Sequence, residues 1–189
     1  MPMTNDQNDQ HGRMTAPGTI VIERMLPGPI ERVWAFLTES DKMAKWIAAA
    51  DIELRVGGAV QLFFGNNDLS PVKEETPEKY KGVCDEDATM QGRILAVEPP
   101  NLFSYTWSEE EGGPSEVTFE LEELGDKVKL VLTHRKLFQN DTLVGVAAGW
   151  HTHVAIMIDI LEGKTPRPFW STHMRLETEY QEILFPQKG

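Results

Sequence analysis

Cysteine is almost missing from this chain. Cys84 stands alone among 189 residues, so no intrachain disulfide framework can form and a cysteine-rich metal site is excluded. A single thiol suits a reducing compartment, and the expected location is the cytoplasm. Its neighbours Asp85, Glu86 and Asp87 disfavour a thiolate, which argues against a reactive role. Positive charge is scarce too. Against 30 Asp and Glu there are 18 Lys and Arg, a formal charge of −12. That balance argues against nucleic acid or an anionic membrane as partner, and no Lys/Arg cluster reverses it. No apolar run is expected to approach membrane-spanning length. The opening MPMTNDQNDQHGRMTAPG lacks the basic-then-apolar order of a secretion signal and reads as a disordered leader over residues 1–18.

Catalytic motifs are also missing. Gly57-Gly58 and Gly112-Gly113 are turn pairs, without the Lys-Ser/Thr or the G-x-G-x-x-G frame of a phosphate loop. There is no G-x-S-x-G elbow. His151 and His153 fall on opposite sides of one helix, and no i, i+4 zinc pattern occurs, so neither a metal nor a cofactor is expected.

What the sequence does contain is a long amphipathic stretch from Asn140 to Gly163. At 100° per residue, Leu143, Val146, Ala147, Trp150, Val154, Met157, Ile158 and Leu161 form one stripe, with Thr152, Asp159 and Glu162 away from it. Asn140 or Asp141 can cap its start, and Gly163 stands where a helix stops in the left-handed region. The rest of the chain supplies mostly strands, so this helix must lie on a sheet.

Those strands alternate cleanly. TIVIERML comes first and ends at Pro27 and Pro29. PIERVWAFLTES and DKMAKWIAA follow as two short helices. DIELRVGGAVQLFF reads as a hairpin turning at Gly57-Gly58, with Val60, Leu62 and Phe64 on one face. Residues 65–90 make a long charged loop, either a lid or a solvated excursion. Then come GRILAVEP, LFSYTWSE, SEVTFELEEL and KVKLVLTHRKL. They turn inward Phe103, Tyr105 and Trp107, then Val117, Phe119 and Leu121, then Leu130, Leu132 and His134. The predicted class is α+β: a curved antiparallel sheet of six to seven strands wrapped on the long helix, over residues 19–163. Residues 164–189 form an extension with a last helix, STHMRLETEYQEILF. Its stripe of Leu176, Tyr180, Ile183 and Leu184 docks on the domain itself or on a second subunit. That helix and Trp170 suggest a homodimer contact.

The segment from about Thr19 to Gly163 resembles the family similar to the activator of the heat-shock-protein-90 ATPase, within the START-like (SRPBCC) helix-grip superfamily. Four pieces carry the resemblance in order: PGPIERVWAFLTESDKMAKWI, GRILAVEPPNLFSYTW, LVLTH and AGWHTHVAIMIDILEG. The resemblance implies a deep, mostly apolar cavity between sheet and helix. It implies no single activity, because members include stress-response co-chaperones and hydrophobic-ligand binders, and related superfamilies contain cyclases. The 65–90 loop and the 164–189 extension depart from the family pattern.

The expected ligand-binding set is Leu62, Phe64, Phe103, Tyr105, Trp107, Phe119, Leu132, His134, Trp150, Val154 and Met157, the alternative for each being plain core. Three functions follow, in descending order of support. The first is non-catalytic binding of a small hydrophobic or aromatic molecule in that cavity. The second is activation of a chaperone ATPase, resting on the resemblance. The third is a cyclase- or hydrolase-type enzyme with His134, Tyr105 or Glu98 as acid/base. His134 can serve as a polar partner to a ligand or simply as a core-edge histidine satisfied by backbone.

Overall fold

A computed structural model describes residues 7–82, 88–107 and 114–189. The strands are β1 (Arg13–Ala16), β2 (Thr19–Pro27), β3 (Ala48–Ile52), β4 (Ala59–Phe64), β5 (Thr89–Glu98), β6 (Leu102–Trp107), β7 (Ser115–Leu124) and β8 (Lys127–Arg135). The helices are α1 (Ile30–Thr38), α2 (Ser40–Met43), α3 (Asn140–Leu161) and α4 (Phe169–Leu184). All strands join one antiparallel sheet in the order β1-β2-β8-β7-β6-β5-β4-β3.

Register carries the inward pattern across the sheet. Ile20, His134, Val117 and Tyr105 pair in one row, and Ile22, Leu132, Phe119 and Phe103 in the next. Successive side chains of a strand alternate faces, so these rows share the face that α3 covers. The sheet curls where β5 crosses from β4 to β6. A Cβ on Gly92 would lie 2.0 Å from the Thr106 carbonyl oxygen, so only glycine allows that close approach. A register shift between Ile94 and Ala96 follows directly and sharpens the bend.

The eighth strand comes from the supposed leader. Residues 13–16 pair with β2, and the Asn8 side-chain amide both donates to the Met25 carbonyl and accepts from its N–H. A polar sequence hid this segment, but the free edge of β2 supplies its backbone partners. Residues 7–18 of the expected leader are therefore part of the fold. The second helix is also shorter than expected. It ends at Met43, and Ala48–Ile52 pairs with β4 instead. Alanine favours a helix intrinsically, and sheet pairing overrides that preference here.

α3 is buried on both sides. Its inner face packs on Ile22, Phe119 and Leu132, while Leu143, Val144, Ala147 and Ala148 form a second cluster with Leu176 and Tyr180 of α4. This is why Thr152 and Asp159, expected away from the apolar stripe, are buried as well. Asp159 receives both guanidinium bonds and the backbone N–H of Arg167, which pins the linker before α4. No side-chain cap closes the start of α3, so neither Asn140 nor Asp141 takes that role, whereas Gly163 ends it at φ +73. At 22 residues α3 is long and apolar enough to cross a membrane, contrary to the expectation that no run comes near, but 78% of its apolar window is buried inside the chain.

α4 begins at Phe169, ahead of the expected Ser171 or Thr172 caps. Leu176 and Tyr180 are buried against α3, whereas Ile183 points to solvent. Trp170 is buried too. It donates to Asn67 Oδ1 at 2.5 Å and stacks on Tyr80, both within the chain. The 65–90 loop, in its described part, lies against α4. Ser70 Oγ donates to the Pro166 carbonyl, and Tyr80 and Lys79 both bind Glu177. Cys84 and the Gly112-Gly113 pair lie outside the described residues.

Candidate functional site

The expected ligand set divides into two groups. Leu62, Phe103, Tyr105, Phe119, Leu132, His134, Val154 and Met157 are solid core, each at most 2% exposed. Phe103, Tyr105 and Phe119 touch one another in stacked and tilted pairs and fill the interior that the resemblance led one to expect hollow. Phe64, Trp107 and Trp150 instead wall a cavity of about 340 Å³ at one end of the grip.

Three layers build that cavity. The sheet contributes Phe64 of β4, Met90 of β5 and Trp107 of β6; α3 contributes Gly145, Val146, Gly149, Trp150 and His153; α4 contributes Phe169, Trp170 and His173. The rings meet mostly edge to face. Trp107 and Trp150 are 5.1 Å apart at 64°, and Phe169 and Trp170 are 4.8 Å apart at 86°. Gly145 and Gly149 sit one turn apart in the middle of a helix, where glycine is unfavourable by about 1 kcal/mol relative to alanine. A Cβ added at Gly145 would meet nothing, and one at Gly149 would come only within 4.0 Å of His173 Cε1. Their missing side chains leave the helix wall open. Those two glycines were the overlooked signal in the sequence, together with His173 and Phe169 from the extension.

The polar candidates have structural partners. Trp150 Nε1 donates to His134 Nδ1 at 2.8 Å, so the ring proton sits on Nε2 and goes to Ser115 Oγ at 2.8 Å. Ser115 Oγ in turn donates to the Trp107 carbonyl at 3.1 Å. Burial pushes the His134 ring down to about 3, which removes it as an acid/base at neutral pH. Its partners are side chains, not the backbone expected of a core-edge histidine. Burial likewise pushes the Tyr105 phenol well above its ordinary value. Val117 separates Tyr105 from His134 in the register, and Glu98 is exposed at the far rim beside Asn101 and Glu120. The three groups proposed for catalysis do not converge.

His151 and His153 do point to opposite sides. His151 Nδ1 accepts from the Tyr180 hydroxyl at 2.9 Å, and that hydroxyl accepts the Gly12 N–H at 2.7 Å. His153 Nδ1 donates to the Trp46 carbonyl at 2.8 Å and ties α3 to the corner after α2. Burial pushes their rings down to about 3 and about 4 respectively. Among the described residues no group of His, Cys, Asp and Glu could hold a metal ion.

A curved antiparallel sheet closed on one long helix, with its cavity between them, defines a helix-grip protein of the START-like class. Residues 27–162 match the family model described as Activator of Hsp90 ATPase homolog 1-like protein, and the chain belongs to that family. Among solved structures it is similar to the protein encoded by gene BPP1335 from Bordetella parapertussis, at 39% identity over 91% of this chain and 89% of that one, with a TM-score of 0.77. It is also similar to CalU16 from Micromonospora echinospora, at 25% identity over 92% of each chain and a TM-score of 0.63. DynU16, from the dynemicin biosynthetic locus, is 18% identical over 80% of this chain and 49% of that one and shares the fold alone, at a TM-score of 0.62. Among curated proteins none matches. The family and the fold support ligand binding or a related function.

Proposed function

We propose that this protein binds a small hydrophobic or aromatic molecule without transforming it, in the cavity between the ends of β4–β6, the middle of α3 and the start of α4. The observation that carries the reading is a 340 Å³ space walled by aromatic rings and held open by two helix-interior glycines. That volume lies at the lower end of the range for small-molecule sites, about 300–1,000 Å³. His134, Tyr105 and Glu98 lie apart from one another and none lines this cavity, which argues against an acid/base reaction by those groups and sets the enzyme reading last. The test is NMR titration of the full chain with a panel of apolar aromatic compounds. Saturable shifts at the Gly145 and Gly149 amides, lost in Gly149→Leu, support the reading. Shifts spread over the outer surface, or none with any compound, remove it.

A second reading, activation of a chaperone ATPase, is favoured by the family description over residues 27–162. It is tested by adding excess protein to the chaperone and measuring ATP hydrolysis, and an unchanged rate disposes of it.

A further inference from the structure

Two residues that line the cavity each carry a buried atom with no hydrogen-bond partner among the described residues: Asn66 Oδ1 and His173 Nδ1. The other such atoms are on Arg24 of β2, outside that wall. Buried polar atoms in folded proteins are nearly always paired, so an unpaired pair at one cavity points to what enters it.

The protonation of His173 follows from its other nitrogen. Nε2 lies 3.2 Å from Glu177 Oε2 and 3.1 Å from the Tyr80 hydroxyl, which donates its own hydrogen to the same carboxylate oxygen. Burial pushes Glu177 up, but the bonds from Lys79 and Tyr80 prevail and hold it below the ordinary carboxylate value. An ionised carboxylate only accepts, so Nε2 carries the ring hydrogen. Burial also pushes the His173 ring down, against the pull of Glu177, and keeps it neutral near pH 7. The nearby Ala148 carbonyl opposes that shift without reaching hydrogen-bond geometry. Nδ1 is therefore a bare lone pair. The residue is only 5% exposed, and its ring lies flat on Phe169, 5.3 Å away at 16°, with Cε1 toward Gly149. Asn66 presents a second acceptor from the single turn that follows β4.

We infer that the cavity takes a flat aromatic molecule bearing a hydrogen-bond donor, such as a phenol or an aryl N–H. The donor meets His173 Nδ1 or Asn66 Oδ1, while the rings pack among Phe64, Trp107, Trp150 and Phe169. The inference rests on the ligand-binding reading and narrows it. No lysine or arginine lines the space among the described residues, so two acceptors and no cation disfavour a carboxylate such as a fatty acid. His173 lies beyond the matched residues 27–162 and Asn66 within them, so the extension supplies one of the two acceptors.

The test is calorimetry on the full chain with three matched probes: 2-naphthol, naphthalene and 2-methoxynaphthalene. The expected result is that 2-naphthol binds about tenfold more tightly than the other two. The preference falls to within about twofold in Asn66→Leu or in His173→Phe, the latter keeping the stack on Phe169, while naphthalene affinity persists. Equal affinities for all three probes, or a preference that survives both substitutions, overturns the inference and leaves the cavity reading standing. Binding of none of them overturns the inference and the cavity reading together.

Discussion

Trp150 on α3 hands its indole hydrogen to Nδ1 of His134 on β8, and this bond sets the direction of every hydrogen bond that follows through Ser115 to the Trp107 carbonyl. One histidine thus ties the long helix to β8, β7 and β6. Removing it leaves an indole N–H and a hydroxyl without their partner and opens a void. His134→Ala is expected to destabilise the fold by about 2–4 kcal/mol in urea denaturation. A midpoint unchanged within error would return His134 to the list of ligand contacts.

Stability is expected to fall early on acidification. His134, His151 and His153 hold protons more weakly in the folded chain, with values of about 3, 3 and 4, than at the unfolded value of about 6.5. The unfolded chain therefore binds more protons below that value. The stability is complete above about pH 6.5 and is lost as pH falls toward 4 and then 3. Each ring contributes about 1.4 kcal/mol per pH unit, so the three together approach 4 kcal/mol per unit. Denaturation curves between pH 7.5 and 4.5 check this, and a flat profile refutes the neutral, buried assignment.

The helix glycines separate stability from binding. Gly145→Ala meets open space and replaces a poor helix residue, so it is expected to stabilise the fold by up to about 1 kcal/mol. Gly149→Leu reaches into the cavity and should abolish binding of an aromatic probe while the chain stays folded. Thermal melts and NMR titrations on the two variants are the measurements. Probe affinity unchanged in Gly149→Leu would place the site elsewhere.

The Tyr180 hydroxyl joins three segments, accepting from Gly12 and donating to His151. Tyr180→Phe keeps the ring and removes only those bonds, with an expected loss of about 1–3 kcal/mol. Hydrogen exchange should speed up at Gly12 in particular. Unchanged exchange there would show that the N-terminal segment is held by β1 alone.

Truncation after Lys164 has a different meaning once α4 is seen on α3. It strips the cover from Val144, Ala148 and His151 and removes Tyr180, so the expected outcome is an aggregating or unfolded chain. A well-folded truncated protein would show that α4 is dispensable.

Much of the sheet was legible because period-two alternation is strong wherever one face is wet. The paired rows of Phe103 with Phe119 and of Leu132 with Phe119 were readable in that way. The location of the cavity was not. Alternation tells which side chains turn inward, but not whether they meet in the middle, and here Phe103, Tyr105 and Phe119 do. The second buried face of α3 was hidden for a related reason. A helical wheel marks the apolar stripe, whereas small and polar residues such as Ala148, Thr152 and Asp159 become interior only once another helix lies across them. The roles of the histidines needed partners far apart in sequence, such as Trp150 for His134 and Trp46 for His153.

Of the five tryptophans, Trp107, Trp150 and Trp170 all border the same hollow. Anything that settles there displaces whatever surrounded most of the molecule's indoles, and its own π-system comes within a few ångströms of them. Occupancy should therefore be written into the chain's ultraviolet emission, as quenching or a change of colour, with no label attached.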